Sequence, residues 1–256
     1  MQSTNTDFIF GIRAITEAIR SEKEIDRILI KKGLSGDLSR ELFELIRTLN
    51  IPFQYVPSEK LDRITRKNHQ GIIAYISAVE YSNIEELMPA LFESGKIPLI
   101  LILDGITDVR NFGAIARSAE CAGVHAIIIP EKGAAQVNAD AVKTSAGALL
   151  RIPICRVRRL SESLKFLKNS GLQVLAATEK GADYYYKVDM TLPTAIIMGA
   201  EDTGVYVENL KLADKNIKIP ILGEIESLNV SVAASLIIYE AVRQRFDNLK
   251  FIFDEI

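Results

Sequence analysis

Residues 98–130 of the chain read PLILILDGITDVRNFGAIARSAECAGVHAIIIP. The apolar run at 98–103 has the length of a buried strand, and a polar loop leads from it into a predicted helix at about 111–123. A second apolar run follows at 126–129. Strands that are apolar throughout, rather than alternating, indicate a parallel sheet that is covered on both faces. This stretch therefore predicts a strand–helix–strand unit of an α/β fold.

The same alternation continues to the end of the chain. Further strands are predicted at 152–157, 172–177, 195–198 and 217–219. Helices are predicted at 139–148, 161–170 and, as the last and longest, 230–246. Residues 97–256 are therefore expected to form one α/β domain with a parallel sheet.

Residues 1–80 have the pattern of a separate, smaller α/β unit. Strands are predicted at 25–30, 53–56 and 71–79, and helices at 12–19, 37–49 and 59–66. A unit of roughly 80 residues is within the usual size range of a domain. The more polar stretch 81–96 contains Pro89 and Gly95, and we expect it to connect the two domains, with one helix inside it.

Composition restricts the classes of function. The formal net charge is −2, whereas nucleic-acid-binding proteins usually show a basic surface. Any contact with RNA is therefore expected from local patches, for which 63–67 and 156–159 are the candidates. The first seven residues lack the features of a signal peptide, and the apolar runs are too short to span a bilayer. We therefore expect a cytoplasmic protein without membrane association.

Several familiar kinds of site are missing from the sequence. It has only two histidines, His69 and His125, which argues against a histidine-based dyad or a multi-histidine metal site. Cys121 and Cys155 do not form a Cys-x-x-Cys pair and are both expected to be buried. No Gly-x-Gly-x-x-Gly follows a predicted strand. No metal is expected.

The first of three unusual segments is 103–119, where a polar loop enters a helix. Open parallel sheets bind ligands at such strand ends. Asn111 is predicted to be the N-cap of the helix, and Asn is a preferred capping residue. Arg117 lies two turns along the helix among small residues, which suggests an anionic partner.

The other two segments also follow predicted strands. In 196–204, Gly199 would allow a ligand to approach the main chain, although a plain acidic turn is the alternative. In 219–235, Ser227, Asn229 and Ser231 precede or open an apolar helix. Simple capping by one of them is the alternative there, but a cap needs only one polar side chain.

Together, and in this order, the three segments resemble the SpoU/TrmH class of RNA ribose 2'-O-methyltransferases, within the SPOUT superfamily. The matching residues are Asn111, Gly113, Arg117 and Ala119 in the first motif, Gly199, Glu201 and Gly204 in the second, and 227–231 in the third. The resemblance covers nearly the whole chain, and 1–80 resembles the ribosomal-protein-like RNA-binding domain of the family. Val109 is a departure, since many members carry Pro there.

The resemblance implies a catalytic domain with a C-terminal trefoil knot, a homodimer, and S-adenosylmethionine as the cofactor. Main-chain groups would hold this cofactor, at the following positions: Thr178, Gly199, Ile219 and Leu228. The residues implied in catalysis are Asn111, Arg117, Glu201, Ser227 and Asn229. Because an arginine in a protein is not deprotonated, we expect Arg117 to clamp a phosphate and stabilise developing alkoxide charge rather than act as a base. Glu201 is expected to hold Arg117 or to accept a hydrogen bond near the nucleotide. Asn111 is expected to orient Arg117 or the ribose, and Ser227 and Asn229 to line the methyl-transfer pocket.

The resemblance is greatest to members that methylate a guanosine of bacterial large-subunit (23S) ribosomal RNA. A transfer-RNA guanosine 2'-O-methyltransferase and a resistance methyltransferase acting on the same subunit are the alternatives. A non-catalytic RNA-binding or ribosome-assembly factor is a further one. The motifs for the chemistry are shared, so the choice of RNA depends on residues 1–80.

Overall fold

The computed structural model describes residues 8–253, and side chains as far as residue 246. The first seven residues, on which the expectation about a signal peptide rests, lie outside the described residues. In the described part of the chain, no helix is both long and apolar enough to cross a membrane.

The chain divides into two compact units. The first extends through Glu80 and includes Gln136–Ala139, and the second comprises Tyr81–Ala135 and the chain from Asp140 onward. The stretch 81–96, predicted as a connection, contains helix α4 (Ile84–Glu93), whose apolar side chains Ile84, Met88 and Leu91 belong to the core of the second unit. The predicted helix within this stretch is therefore present.

The first unit contains a four-stranded mixed sheet in the order β1-β4-β2-β3. Its elements are β1 (Phe8–Phe10), α1 (Ile12–Arg20), β2 (Ile25–Lys31), α2 (Asp37–Thr48), β3 (Phe53–Val56), α3 (Ser58–Ile64) and β4 (Ile72–Ile76). Strands β2 and β3 are parallel, whereas β4 is antiparallel to both β1 and β2. Buried side chains of α1 and α2, such as Ile15 and Leu42, pack against the sheet at Ile28 and Ile72.

The second unit contains a seven-stranded sheet in the order β7-β6-β5-β10-β8-β11-β9. Its strands are β5 (Leu99–Asp104), β6 (Ala126–Pro130), β7 (Ile154–Val157), β8 (Gln173–Ala177), β9 (Asp183–Tyr184), β10 (Thr194–Gly199) and β11 (Lys215–Lys218). Each of its strand pairings is parallel, which confirms the predicted parallel sheet.

Helices cover this sheet, as continuous apolar strands require. They are, besides α4, α5 (Val109–Cys121), α6 (Ala139–Thr144), α7 (Leu160–Asn169), α8 (Val207–Leu210) and α9 (Val230–Phe253). Leu160, Leu164 and Leu167 of α7 share one apolar cluster with α4 and the strands. Helix α5 packs against α9, where Ser235 Oγ donates a hydrogen bond of 2.8 Å to Ser118 Oγ.

The parallel sheet brings the unusual segments to one edge. Gly199 at the end of β10 is in register with Asp104 at the end of β5. Strands β8 and β11 end beside β10 on the side away from β5. The loops that follow these strands therefore meet at the carboxyl edge of the sheet, where open α/β folds bind ligands.

Candidate active site

A cavity of about 470 Å³ lies at the carboxyl ends of β8, β10 and β11. Its walls are formed by the loops after these strands and by the first turns of α9. The four residues predicted to hold a cofactor all line it: Thr178, Gly199, Ile219 and Leu228. A volume of this size is within the range of small-molecule sites in proteins.

The turn after β10 shapes one wall of the cavity. A Cβ atom on Gly199 would lie only 2.1 Å from the carbonyl carbon of Gly204 and from the nitrogen of Val205. The Gly204 N–H donates a hydrogen bond of 2.9 Å to the Ala200 carbonyl, and Gly204 has φ +65°. Gly199 is therefore needed so that the turn can close on itself, which is a different reason from the predicted approach of a ligand.

Part of the segment 219–228 also lines the cavity, and its main-chain groups are unpaired. Within residues 8–253, nothing forms a backbone hydrogen bond with the N–H or C=O groups of this segment. Ile219, Ile221 and Leu228 line the cavity, while Leu222 is 98% exposed. Because residues 220–228 are exposed, the main-chain groups of those that line the cavity are open to solvent and can also pair with a polar ligand.

Asp104 anchors the loop that follows the Gly199 turn. Asp104 is buried, and its Oδ2 accepts hydrogen bonds of 2.9 Å from the Tyr206 N–H and from Asn209 Nδ2. Burial raises the pKa of this carboxyl above its usual value, and the two hydrogen bonds partly oppose the rise. Asp104 was not among the predicted site residues, although an acidic residue at the end of an apolar strand is a signal that could have indicated it.

A polar cluster at the mouth of the cavity joins the three motifs. Asn229 Nδ2 donates hydrogen bonds to Asn111 Oδ1 at 3.0 Å and to Glu201 Oε1 at 2.5 Å. The Val230 N–H also donates to Glu201 Oε1, at 3.2 Å. We call Asn111, Glu201 and Asn229 the mouth cluster. One residue from each motif thus contributes to a single hydrogen-bonded group, and Glu201 and Ser227 also line the cavity.

The N-cap of α5 differs from the predicted one, whereas Asn229 caps α9 as the sequence allowed. Asp108, not Asn111, is the N-cap of α5, and its Oδ1 accepts from the N–H groups of Arg110 and Asn111 at 2.8 Å. The prediction was wrong because a carboxylate three residues earlier already meets the capping requirement. The Asn111 side chain is thereby left for the mouth cluster. Asn229 belongs to the mouth cluster and also caps α9, since its Oδ1 accepts a hydrogen bond from the Ser231 N–H at the start of that helix.

Arg117 lies exposed on α5, away from the mouth cluster's hydrogen bonds. Among the described residues, none accepts a hydrogen bond from its guanidinium or forms an ion pair with it. The contacts of Arg117 with Glu201 or Asn111 that we expected are therefore not made. An exposed, unpaired guanidinium is suited to bind an anion such as a phosphate.

The remaining reactive side chains belong to the scaffold. His125 Nδ1 accepts a hydrogen bond of 3.1 Å from the Leu99 N–H, and burial, with Lys96 and Arg245 nearby, lowers the pKa of this histidine. Cys155 is buried, which raises the pKa of its thiol to about 12, but Cys121 is exposed and the prediction for it was wrong. In the part of the chain that the structure describes, no cluster of three or more His, Cys, Asp or Glu could hold a metal ion.

Comparison with known proteins identifies the family. The SpoU rRNA methylase family matches residues 98–239, which contain the cavity and the mouth cluster. The chain belongs to the SpoU family. Residues 8–82 match the family described as RNA 2'-O ribose methyltransferase substrate binding. The SpoU assignment therefore covers both units, and the resemblance at the level of the family is confirmed.

One relative and two structural neighbours of the SpoU class show how far the likeness extends. YacO of Bacillus subtilis, named as a TrmH family tRNA/rRNA methyltransferase, is 32% identical over 95% of this chain and 98% of its own. The methyltransferase AviRb from Streptomyces viridochromogenes, solved with the cofactor AdoMet (S-adenosylmethionine), has a TM-score of 0.60 at 26% identity, covering 94% of this chain and 90% of its own. The TrmH/SpoU tRNA modifying enzyme of A. aeolicus is 34% identical, covers 64% of this chain and 85% of its own, and has a TM-score of 0.55.

Proposed function

We propose that the protein transfers a methyl group from S-adenosylmethionine to the 2'-hydroxyl of a guanosine in large-subunit (23S) ribosomal RNA. One observation carries the chemistry: a cavity with unpaired main-chain groups opens beside a cluster that joins all three SpoU motifs. The bacterial cytoplasm, where such RNA is made and modified, is then the place of action.

The cavity fits S-adenosylmethionine in both size and chemistry. Its volume of about 470 Å³ and its mixed apolar and main-chain walls suit a nucleoside with an amino-acid chain. The main chain of 219–228 offers donors and acceptors for the polar atoms, and Thr178 and Gly199 face the same space. When bound, the cofactor supplies an electrophilic methyl carbon on a positively charged sulfur.

The residues of the chain then position the RNA and manage charge. Arg117 would bind a phosphate next to the target ribose and stabilise the negative charge that develops on the 2'-oxygen as the hydroxyl proton leaves, before the methyl carbon exchanges its bond to sulfur for a bond to this oxygen. Because a guanidinium does not accept a proton, the hydroxyl proton leaves to water or to the phosphate. The mouth cluster fixes Asn111 and Glu201, which orient the ribose over the cavity.

Ribosomal RNA is favoured because the family that matches 98–239 is the rRNA methylase family. Transfer RNA is the second candidate, because YacO is named for both RNAs and the A. aeolicus neighbour is a tRNA modifying enzyme. The unit formed by residues 8–80, which matches the substrate-binding family, is where this choice would be made.

The deciding experiment offers the purified protein S-adenosylmethionine with a labelled methyl group, together with total ribosomal RNA or total transfer RNA. We expect label in the large ribosomal RNA, at one nucleotide whose 3'-linkage becomes resistant to alkali. Label in transfer RNA alone would replace the proposed substrate and leave the chemistry in place. No label in either RNA would favour a non-catalytic RNA-binding or ribosome-assembly factor.

We further propose that the protein is a homodimer. Helix α9 carries the exposed apolar side chains Val232 (48%), Leu236 (41%) and Tyr239 (48%) at a spacing that places them on one face. An exposed apolar stripe on a helix that also packs on α5 is suited to a second copy of this chain. Light scattering should give twice the chain mass, and Leu236→Glu should give the monomer. A wild-type monomer at micromolar concentration would contradict the proposal.

The trefoil knot implied by the family is also a proposal. The Thr178 N–H donates a hydrogen bond of 2.9 Å to the Ile217 carbonyl, so the loop after β8 starts alongside β11. A Cβ atom on Gly181 would lie 2.6 Å from the carbonyl carbon of Ile217, so the loop after β8 passes close to β11. An experimental chain trace in which 219–253 does not pass through a loop would contradict the knot.

A further inference from the structure

A second cavity, of about 460 Å³, lies at the outer strand β7 of the large sheet. It is lined by residues 81–85 at the start of α4, by 156–159 at the end of β7, and by the first turns of α7. None of its lining residues also lines the cofactor cavity. We call it the β7 groove, and nothing in the proposed methyl transfer uses it.

Three arginines line the β7 groove, and each is in a different situation. The Arg156 guanidinium lies over the Tyr81 ring, 4.0 Å from its centroid. Arg159 forms a 3.1 Å ion pair with Glu162, and both side chains are more than half exposed. Arg158 is exposed, and within the described part of the chain no side chain or carbonyl pairs with it. Arg158 is therefore the guanidinium that is free to bind a ligand.

The two acidic residues in the groove do not cancel this positive charge. Glu85 and Glu162 lie in the first turns of α4 and α7, where the helix dipole favours carboxylates. Both helices begin at the groove, so their amino ends add partial positive charge to that of the three arginines. With three arginines and two carboxylates, the lining has a formal charge of 3 − 2 = +1 in a chain whose net charge is −2.

The groove lies on the same edge of the sheet as the cofactor cavity. Residues 157–159 follow the carboxyl end of β7, and β7 is three strands from β10 in the order β7-β6-β5-β10. Three strand spacings correspond to roughly 14 Å. A single RNA strand that places a ribose at the mouth cluster is long enough to continue along this edge to the groove.

We propose that the β7 groove binds backbone phosphates of the RNA substrate, at nucleotides that flank the methylated one. Arg158 makes the main contact, and Arg156, held against Tyr81, makes a second. Phosphate contacts of this kind position an RNA without reading its sequence. This inference rests on the proposed function for the identity of the polymer.

The test measures the affinity of the full chain for a fluorescently labelled single-stranded RNA oligonucleotide as a function of salt concentration. Loss of one phosphate contact lowers the slope of log K against log salt by about 0.7 for a single strand. Arg158→Gln should show this change and about tenfold weaker binding at low salt, as expected for one charge-assisted contact. The matched control is Arg151→Gln, an exposed arginine that precedes the same strand at its opposite end. It should match the wild type.

A second variant tests the opposite sign. Glu162→Gln releases Arg159 from its ion pair, so the RNA affinity should rise severalfold and the salt slope should steepen. Binding of S-adenosylmethionine, measured by calorimetry, should be unchanged in all three variants and serves as the check on folding.

Several outcomes would overturn the β7 groove as an RNA site: no binding by the wild type at low salt, equal effects of Arg158→Gln and Arg151→Gln, or no gain from Glu162→Gln. If the variants bind RNA as expected but the wild type transfers no methyl group, the proposed reaction is wrong and the groove is still an RNA site.

Discussion

The cofactor cavity is formed in part by main-chain groups, whereas its mouth is formed by polar side chains. The cavity is formed by strand ends, a tightly closed glycine turn and the unpaired main chain of 219–228. The mouth is formed by the hydrogen-bonded polar side chains of the mouth cluster, and Arg117 on α5 has no partner among the described residues. If the proposed function is right, the cofactor site is preformed, and Arg117 gains a partner when the RNA binds. Substitutions in the two regions should therefore damage different steps.

The largest effect is expected from Gly199→Ala. The new Cβ atom would lie 2.1 Å from the main chain at 204–205, which cannot yield as a flexible side chain does. We expect loss of S-adenosylmethionine binding by more than about a hundredfold, together with a lower melting temperature. Gly223→Ala is the matched control, because a Cβ there would meet nothing within 4 Å. Equal cofactor affinity in the two variants would show that the turn does not form the cavity wall.

Arg117→Ala should separate the two regions most cleanly. Loss of a group that stabilises developing charge should lower the rate of methyl transfer by about 100- to 1,000-fold. Cofactor affinity by calorimetry should stay within about twofold of the wild type, because Arg117 does not line the cavity. A loss of cofactor affinity as large as the loss of rate would mean that Arg117 contributes to the cofactor site instead of the RNA site. Arg151→Ala is the control for the removal of an exposed arginine.

Asn229 belongs to a helix cap and to the mouth cluster, and two substitutions divide these roles. Serine is also a good cap but is too short to reach both Asn111 and Glu201, so Asn229→Ser should keep stability and reduce transfer. Asn229→Ala should reduce transfer and also lower the free energy of unfolding by about 1 kcal/mol. If urea unfolding shows equal stability for the two variants, Asn229 does not cap α9.

Substitution of Asp104 should give the smallest effect, which is a change in how the free energy of unfolding depends on pH. Because burial raises its folded pKa above the unfolded value, the folded state binds more protons between these two pKa values. The free energy of unfolding should therefore fall as pH rises from the unfolded pKa through the folded one. Asp104→Asn retains an acceptor for Tyr206 and Asn209, so it should stay within about 1 kcal/mol at neutral pH and lose this dependence. Parallel urea titrations from acid to neutral pH would test it, and an unchanged pH profile would contradict it.

Much of the second unit could be predicted because its signals are strong and local. The apolar runs at 98–103 and 126–129 correspond to β5 and β6. A strand that is covered on both faces must be apolar at nearly every position, so its composition identifies it. The four positions predicted to hold the cofactor line one cavity, because three of them lie at or directly after the ends of strands of one parallel sheet and Leu228 lies next to α9. The roles predicted for these residues and for the catalytic ones stay predictions until they are measured.

What could not be predicted depends on distance or on competition between neighbours. Strands β1 and β9 have three and two residues, too few for a pattern, and exist through pairing with β4 and β11. The N-cap of α5 was misplaced because Asp108 and Asn111 are both good caps, and sequence alone does not rank them. The partners of Asp104 are more than 100 residues away, and no local pattern indicates them.

The main-chain wall at 219–228 has a consequence for how this protein can change over generations. Where peptide groups rather than side chains face a ligand, the path of the chain encodes the site and the individual residue types are free to drift. Leu222, almost entirely in solvent, should accept nearly any replacement without a change in cofactor affinity. Such a loop can exchange its outer surface for new RNA contacts while the chemistry inside it stays the same.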